Sequence, residues 1–253
     1  MDARRKLFVF VASILLLLCL VFVMIVKKQR SNISGSNTEF PQASTVESFP
    51  IPSVQNKRYQ VKEFSIIMGA KKFSNKQIGD HKQLYAGYVN KRNEIDTALQ
   101  TADRTTGNNI SYSQFRGLKL AETFTRNAAI LHELYFENIG MGTTMGKATE
   151  EIIIKHFGSV AAFKEDLMAT ALSARGWVLT SYNLDDKRVQ NYLLDAHNEK
   201  VPVLTIPLLV VDTYEHAYMI DFGINRKEYL AVLWDNINWD VVEKRVKEWI
   251  YRS

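Results

Sequence analysis

The sequence predicts an α+β protein that begins with a transmembrane helix and continues as two domains, a helical hairpin and then an α/β domain. Three observations support this prediction. A long apolar run opens the chain, two long stretches with apolar residues at helical spacing follow, and strand-like segments then stand between shorter helical ones. With 253 residues, 46% of them hydrophobic, the chain has enough apolar material for one or two ordinary domains.

Residues 1–30 are predicted to be a transmembrane signal anchor. Leu7–Val26 is a run of 20 residues without a charged side chain, and basic residues flank both of its ends. As a helix, such a run spans about 30 Å, which matches the hydrocarbon core of a bilayer. A cleaved signal peptide is the alternative, but its apolar stretch is shorter, roughly 7–15 residues. The nearest small-x-small pattern, Ser34–Ser36, also lies well beyond the end of the run.

The charge distribution bears on the partners and on the orientation of the anchor. Residues 1–30 hold six lysines and arginines and one aspartate, a balance of +5 that equals the net charge of the whole chain. The rest of the chain is therefore neutral, which argues against a nucleic-acid partner. The basic residues are equal in number on the two sides, and the free amino terminus favours a cytoplasmic N-terminus. We therefore expect a membrane-anchored protein whose soluble part is extracytoplasmic, either periplasmic or on the cell surface.

The remaining chain divides into a linker and two domains. Residues 31–56 are rich in Ser, Asn, Thr and Pro and predict a flexible linker. Residues 57–142 predict a helical hairpin domain built from helices over Lys76–Thr101 and Ser113–Ile139, and residues 143–253 predict the α/β domain. The predicted elements of this second domain are the helices Thr149–His156, Ser159–Thr170 and Asp240–Ile250 and the strands Gly176–Asn183, Val201–Leu204 and Ile206–Val211.

One short segment carries the strongest indication of chemistry. Asp212–Tyr218 reads Asp-Thr-Tyr-Glu-His-Ala-Tyr, and it places a carboxylate and an imidazole four residues apart directly after an apolar run. Together with Asn127–Asn138 and Asn236–Asp240, it resembles the metal-binding segments of the iron/manganese superoxide dismutase family. The resemblance covers roughly Ser65–Lys247. It implies a two-domain fold with a small antiparallel sheet, one iron or manganese ion per subunit, and the disproportionation of superoxide.

Three metal ligands carry over from this resemblance, namely His132, Asp212 and His216. Two neutral imidazoles and a carboxylate suit a first-row transition metal, and a third imidazole would complete the set. The alternative interpretation is that Asp212 and His216 form a buried hydrogen-bonded pair, with His132 as an ordinary helix histidine.

The fourth ligand is where the sequence departs from the family. Family members carry their first histidine eight residues before the tyrosine that corresponds to Tyr88, whereas here Asp80 stands eight residues before it and His81 seven. At about 100° per residue, seven steps return to nearly the same helix face, and eight overshoot by about 80°. A spacing of eight therefore needs a bulged residue in the helix. We expect that this chain has lost the bulge and that His81 is the ligand. Asp80 as a replacement ligand, a three-ligand site and a metal-free site are the alternatives.

The resemblance also assigns two residues beside the metal. Tyr88 corresponds to the active-site tyrosine at the mouth of the substrate funnel, and its alternative reading is a half-buried helix tyrosine. His197 is the first candidate for the outer-sphere residue that hydrogen-bonds the metal-bound solvent, and Asn198 is the second. An ordinary loop histidine is the alternative for His197.

The gateway of the site differs from that of the family. The family usually has a histidine where this chain has Leu84 or Tyr85, paired across the dimer with a tyrosine where this chain has Met219. Glu215 is retained, and in the family it bonds to His216 of the partner subunit, so the resemblance implies a homodimer. The departures leave two alternatives open: a catalytically silent structural or interaction protein tethered to the membrane, and a metal site with another redox or hydrolytic use.

Overall fold

The computed structural model describes residues 58–251, which belong to one compact unit. The predicted anchor Leu7–Val26 and the linker 31–56 lie outside the described residues. Within residues 58–251, no helix combines the length and the apolar character that crossing a bilayer requires. The regular elements are the helices α1 Asn75–Thr101, α2 Gln114–Asn138, α3 Lys147–Phe157, α4 Val160–Ser173, α5 Met219–Phe222, α6 Arg226–Asp235 and α7 Trp239–Trp249, the strands β1 Trp177–Asn183, β2 Val189–Leu194 and β3 Thr205–Asp212, and the 3-10 turns Ile66–Gly69 and Glu215–Ala217.

The helical hairpin is formed by α1 and α2, and a serine caps the N-terminus of each helix. Ser74 Oγ accepts a hydrogen bond from the Gln77 amide, and Ser113 Oγ accepts one from the Arg116 amide, both at 3.0 Å. These bonds satisfy amide groups that have no partner inside the helix. The α1 helix is α-helical from its first residue to its last, without a π-bulge, as the seven-residue spacing predicted.

The sheet is antiparallel, with strand order β2-β1-β3. The central strand β1 pairs with both neighbours, so that Trp177 stands opposite Leu194 on one side and opposite Asp212 on the other. The predicted α+β architecture with a small antiparallel sheet is therefore confirmed. Its register places the carboxylate that ends β3 beside a buried indole.

One predicted strand is wrong. Residues Val201–Leu204 lie in a loop, because Pro202 has no amide hydrogen to offer a sheet and Leu204 has a φ of +55°. Val203 is 82% exposed, so its side chain buries little of the surface that would hold a strand in place. The third strand is instead β2, an edge strand. Its central residues are polar, so it lacks the apolar pattern by which a strand is predicted from the sequence.

A buried amide joins the hairpin to the sheet. The Asn138 side chain, at the end of α2, donates to the carbonyl oxygen of Val210 and accepts from its amide, both at 3.0 Å. This pair of bonds extends the backbone pattern of β3 onto a helix. It fixes the distance between α2, which carries His132, and the end of β3, which carries Asp212.

Candidate metal centre

His81 reaches the interior from the buried face of α1. Its side chain is 3% exposed, and its Nε2 lies 3.1 Å from Asp212 Oδ2. Asp80, one residue earlier, is on the outer side of the helix, half-exposed and paired with Lys76 at 2.6 Å. The structure therefore places His81 in the cluster and leaves Asp80 outside it.

His132 is oriented by its own helix. Its Nδ1 lies 2.7 Å from the carbonyl oxygen of Ala128, one turn earlier on α2. A carbonyl can only accept, so Nδ1 carries the proton and Nε2 has a free lone pair. That Nε2 is fully buried, has no hydrogen-bond partner and lies 3.8 Å from Asp212 Oδ2. A buried imidazole nitrogen without a partner is the kind of atom that a metal ion satisfies.

Asp212 and His216 come from the end of β3 and the turn that follows it. Asp212 is fully buried, its Oδ1 accepts from the Tyr214 amide at 2.9 Å, and its Oδ2 lies 3.1 Å from His216 Nε2. The hydroxyl of Tyr229 also donates to the Asp212 carbonyl oxygen at 2.7 Å. These bonds fix the direction of the carboxylate, so that Oδ2 faces the histidines.

The four side chains form one cluster. The ligand atoms that His81, His132, Asp212 and His216 can offer all lie within 4.8 Å of one another. Three imidazole nitrogens and one carboxylate oxygen are a donor set that suits iron or manganese, and the free lone pair on His132 Nε2 agrees with it. The cluster therefore fits a single metal ion.

The electrostatics favour the coordinating form of three of the four groups. Burial lowers the pKa of His81, and it lowers the pKa of His132 well below its ordinary value, so both imidazoles are neutral near pH 7. Burial by itself raises the pKa of Asp212, but the charge of His216 and the hydrogen bonds from His216 and His81 outweigh it, so the pKa falls and the group stays ionised. The pKa of His216 is raised instead: burial lowers it, but the charge of Asp212, the hydrogen bond to Asp212 and the charge of Glu215 together outweigh burial.

A hydrogen-bonded chain lies beside the cluster. The indole nitrogen of Trp177 donates to His197 Nδ1 at 2.9 Å, and His197 Nε2 lies 3.1 Å from the Tyr88 hydroxyl. An indole N–H can only donate, so Nδ1 is an acceptor and the neutral His197 carries its proton on Nε2. Burial lowers the pKa of His197 to about 4, which keeps it neutral. His197 therefore donates to Tyr88, whose ring lies 5.3 Å from that of His132.

The second candidate for the outer-sphere position lies elsewhere. Asn198 donates to Thr123 Oγ1 at 3.2 Å in an exposed contact, whereas His197 is buried. Tyr85, one of the two residues at the altered gateway, donates to Glu133 Oε1 at 3.0 Å inside the core. Leu84 is half-buried and brings no polar group to the mouth.

Sequence reasoning missed two residues that support the site. The hydrogen bond from Trp177 to His197 depends on the sheet and has no local signal. Gln77 is buried and donates to the carbonyl oxygen of His216 at 2.6 Å. Its position one helical turn before His81 is the only sequence signal that could have identified it.

Comparison with known proteins agrees with this geometry. The family described as iron/manganese superoxide dismutases, C-terminal domain, matches residues 145–245. An iron superoxide dismutase of Aquifex pyrophilus is 41% identical over 184 residues, covering 69% of this chain and 84% of the relative. An iron superoxide dismutase of Aquifex aeolicus is 39% identical over 181 residues, again covering 69% and 84%. A manganese superoxide dismutase of Haloferax volcanii is 28% identical over 170 residues, covering 66% and 83%.

Proposed function

The chain belongs to the iron/manganese superoxide dismutase family, and from this premise we propose that its four-residue cluster holds one iron or manganese ion for the disproportionation of superoxide. Two superoxide anions and two protons become one molecule of oxygen and one of hydrogen peroxide. When bound, the ion would supply the electron transfer, because iron and manganese can alternate between the +3 and +2 states. The observation that carries the proposal is the convergence of three imidazoles and one carboxylate within 4.8 Å. The proposed ligands are His81, His132, Asp212 and His216.

The protein contributes a preformed and desolvated set of donors. Asp212 is fully buried and His132 is 0% exposed, so neither has bulk water competing for its ligand atom. The hydrogen bonds to Ala128 and from Tyr214 keep the free imidazole nitrogen and the carboxylate aimed at one point. Such supporting contacts commonly change metal affinity or activity by about 10–100-fold when they are removed.

Tyr88 and His197 are proposed to deliver protons at the mouth of the site. Burial and the negative charge of Asp212 raise the pKa of Tyr88, so its hydroxyl keeps its proton. Because His197 already donates to the Tyr88 oxygen, the tyrosine hydrogen is free to point to another acceptor. Its acceptor in the working enzyme is proposed to be superoxide or a solvent molecule in the site.

The proposed functional unit is a homodimer that uses Glu215 and His216. Glu215 is exposed in the single chain, so its carboxylate is accessible to a second subunit. The neighbouring residues Met219, Ile220 and Ile224 are 44%, 46% and 92% exposed, so three large apolar side chains that follow Glu215 within nine residues are open to a second subunit. In the proposed dimer, Glu215 bonds to His216 of the partner subunit and the apolar residues pack beside that contact.

The proposed location is a membrane, with the enzyme outside the cytoplasm. The support for this comes from the sequence alone, from the uncharged run Leu7–Val26 and its basic flanks. The Ser- and Pro-containing linker 31–56 would give the enzyme freedom above the bilayer. An enzyme held there would remove superoxide that arises in the periplasm or at the cell surface.

Metal content tests the proposed function and its ligands together. We expect the purified chain to hold close to one iron or manganese ion and to be active, His81→Ala to lose both properties, and Asp80→Ala to keep both. Asp80→Ala removes only a surface ion pair, which is worth about 0–1 kcal/mol, so it is the matched control. Elemental analysis and a superoxide-consumption assay on the same samples provide the measurement.

Two results would contradict the proposal. A chain that binds neither metal after refolding with iron or manganese would overturn the enzymatic function. Loss of the metal in Asp80→Ala together with retention in His81→Ala would overturn the assignment of the first ligand and leave the function itself intact.

A further inference from the structure

Among the four proposed ligands, His216 lies on the shortest element of secondary structure. His81 and His132 lie within helices of 27 and 25 residues, and Asp212 ends a strand of eight. His216 instead lies on a 3-10 turn of three residues, Glu215–Ala217, and its side chain is 28% exposed. So short a turn cannot hold an imidazole to a fraction of an ångström by itself. Its position must be set by contacts from other elements.

Gln77 on α1 makes such a contact. Its amide nitrogen donates to the His216 carbonyl oxygen at 2.6 Å, and its amide oxygen accepts from the Ile220 amide at 3.1 Å. The side chain is 1% exposed, so both bonds are shielded from water. A primary amide is needed here, because one bond requires a donor and the other an acceptor.

Because Gln77 lies on α1, its two hydrogen bonds connect the His216 segment to the helix that carries His81. Gln77 precedes His81 by four residues, so both side chains leave the same face of the helix. Through Gln77 the main chain of His216 is tied to the helix that carries His81. The two imidazole rings lie 5.0 Å apart, and each Nε2 is 3.1 Å from the same Asp212 oxygen.

We propose that Gln77 is a positioning residue that sets His216 relative to His81 and thereby shapes the coordination of the metal. This inference rests on the proposed function, since it concerns the same cluster. Gln77 touches neither substrate nor metal. It acts through the backbone of His216, which it links to α1.

The test uses the full chain loaded with iron and the substitution Gln77→Met. Methionine has a similar length and suits a buried site, but it can form neither hydrogen bond. We expect the iron(III) electron paramagnetic resonance spectrum to change, and iron to pass to a chelator about 10-fold faster or more, because His216 is no longer held in place. We also expect kcat/KM to fall. Gln77→Asn, whose amide is one methylene too short to make both bonds, should change the spectrum in the same direction and keeps the test valid if the methionine variant does not fold.

Asp221→Ala is the matched control. Asp221 Oδ2 accepts from the Ser74 amide at 2.6 Å, so it joins the same two parts of the chain without touching a ligand residue. We expect this variant to lose stability and to keep the wild-type spectrum and the wild-type rate of iron release. Wild-type behaviour in both folded Gln77 variants, or an equal change in Asp221→Ala, would overturn the role of Gln77. Failure of the wild-type chain to bind iron would instead overturn the proposed function itself.

Discussion

At the scale of single residues, the protonation of the histidines is decided by their neighbours. His132 and His197 are both buried and neutral, yet they hold their protons on different nitrogens. The carbonyl of Ala128 accepts from His132 Nδ1, whereas the indole of Trp177 donates to His197 Nδ1. The first arrangement frees Nε2 for a metal, and the second makes Nε2 a donor to Tyr88. The two histidines are therefore suited to different tasks, one to coordination and the other to donating a hydrogen bond.

Removing the indole donor should separate metal binding from proton delivery. In Trp177→Phe an aromatic ring is kept, but His197 Nδ1 loses its donor and the tautomer is no longer imposed. We expect the metal content to stay near one ion and kcat to fall about 10-fold or more, as is common when such a supporting contact is lost. Stopped-flow assays and metal analysis check this, with nitrogen-15 NMR of His197 as the direct measure of the tautomer.

Trp234→Phe is the control for that experiment. Trp234 packs against Phe163 and Trp239, away from the cluster, so the same substitution there tests the loss of volume alone. An equal loss of kcat in the two variants would show that the hydrogen bond to His197 has no particular role.

At the scale of elements, the N-terminus of α3 is capped by a side chain from another helix, α7. Its N-cap is Gly146, which has no side chain to accept from the first amides. Glu243 of α7 replaces the cap: it accepts from the amides of Ala148 and Thr149 at 3.2 and 2.8 Å and from the Thr149 hydroxyl at 2.7 Å. A Cβ on Gly146 would lie 2.4 Å from the Glu243 carboxyl carbon, so the glycine is what allows this approach.

Glu243→Gln should reduce stability in a pH-dependent manner. Burial raises the pKa of Glu243, but hydrogen bonds from the Thr149 hydroxyl, Lys247 and two backbone amides outweigh it and bring the pKa to about 2. The carboxylate therefore stabilises the fold above its ordinary pKa of 4.5, and this contribution is lost as the pH falls from there to about 2. We expect the variant to be less stable by about 1 kcal/mol at pH 7, a typical value for a helix cap.

Urea unfolding at pH 7, 4 and 2.5 measures this difference. The gap between wild type and variant should shrink across the series, because protonation of Glu243 removes the charge that the glutamine lacks at every pH. Glu151→Gln on α3 makes the same charge change at an exposed position and should show little difference at any of these pH values. A gap that stays constant with pH would contradict the capping role of the carboxylate.

The elements themselves were predictable where their signals are local. The helices α1, α2 and α4 begin after a serine that caps them, and their apolar spacing extends to within a few residues of their observed ends. The edge strand β2 was not predictable, because its pairing with β1 rather than its own composition makes it a strand. Val201–Leu204 has a more strand-like composition, but tertiary contacts make β2 the strand instead.

At the scale of the whole molecule, the proposed dimer follows from what one subunit leaves exposed. We expect Glu215→Ala to raise the dimer dissociation constant about tenfold or more, because a hydrogen bond to a charged group is worth about 1.5–3 kcal/mol. Analytical ultracentrifugation measures the constant directly. Glu165→Ala, which removes an exposed carboxylate on α4, serves as the control and should leave it unchanged. A wild-type chain that sediments as a monomer at all concentrations would contradict the dimer.

The proposed anchor has its own test. We expect the full chain to stay in the membrane fraction after an alkaline carbonate wash, and a chain that begins at Ser31 to appear in the soluble fraction. Protease added to intact spheroplasts should degrade the enzyme domain if it lies outside the cytoplasm. Recovery of the full chain in the soluble fraction would contradict anchoring, and protection from the protease would contradict the orientation.

The sequence by itself determined which side chains are available and how they are spaced locally. Seven residues from His81 to Tyr88 return to one face of a regular helix, a statement that needs only helix geometry. The spacing of four residues from Asp212 to His216 keeps a carboxylate and an imidazole close along the chain, and the end of β3 and the turn after it bring them together. The roles of these residues as ligands and proton donors stay predictions until metal and activity are measured.

Only the tertiary structure decided how these local pieces are held together. The tautomer of His197 depends on Trp177, which the sheet register brings beside Asp212, and the position of His216 depends on Gln77, 139 residues earlier in the chain. Such contacts arise when elements pack together, and the separation of two elements along the sequence does not indicate their distance in space. A centre whose ligands come from two helices, a strand and a turn is therefore predictable in its chemistry from the sequence, and in its geometry only from the fold.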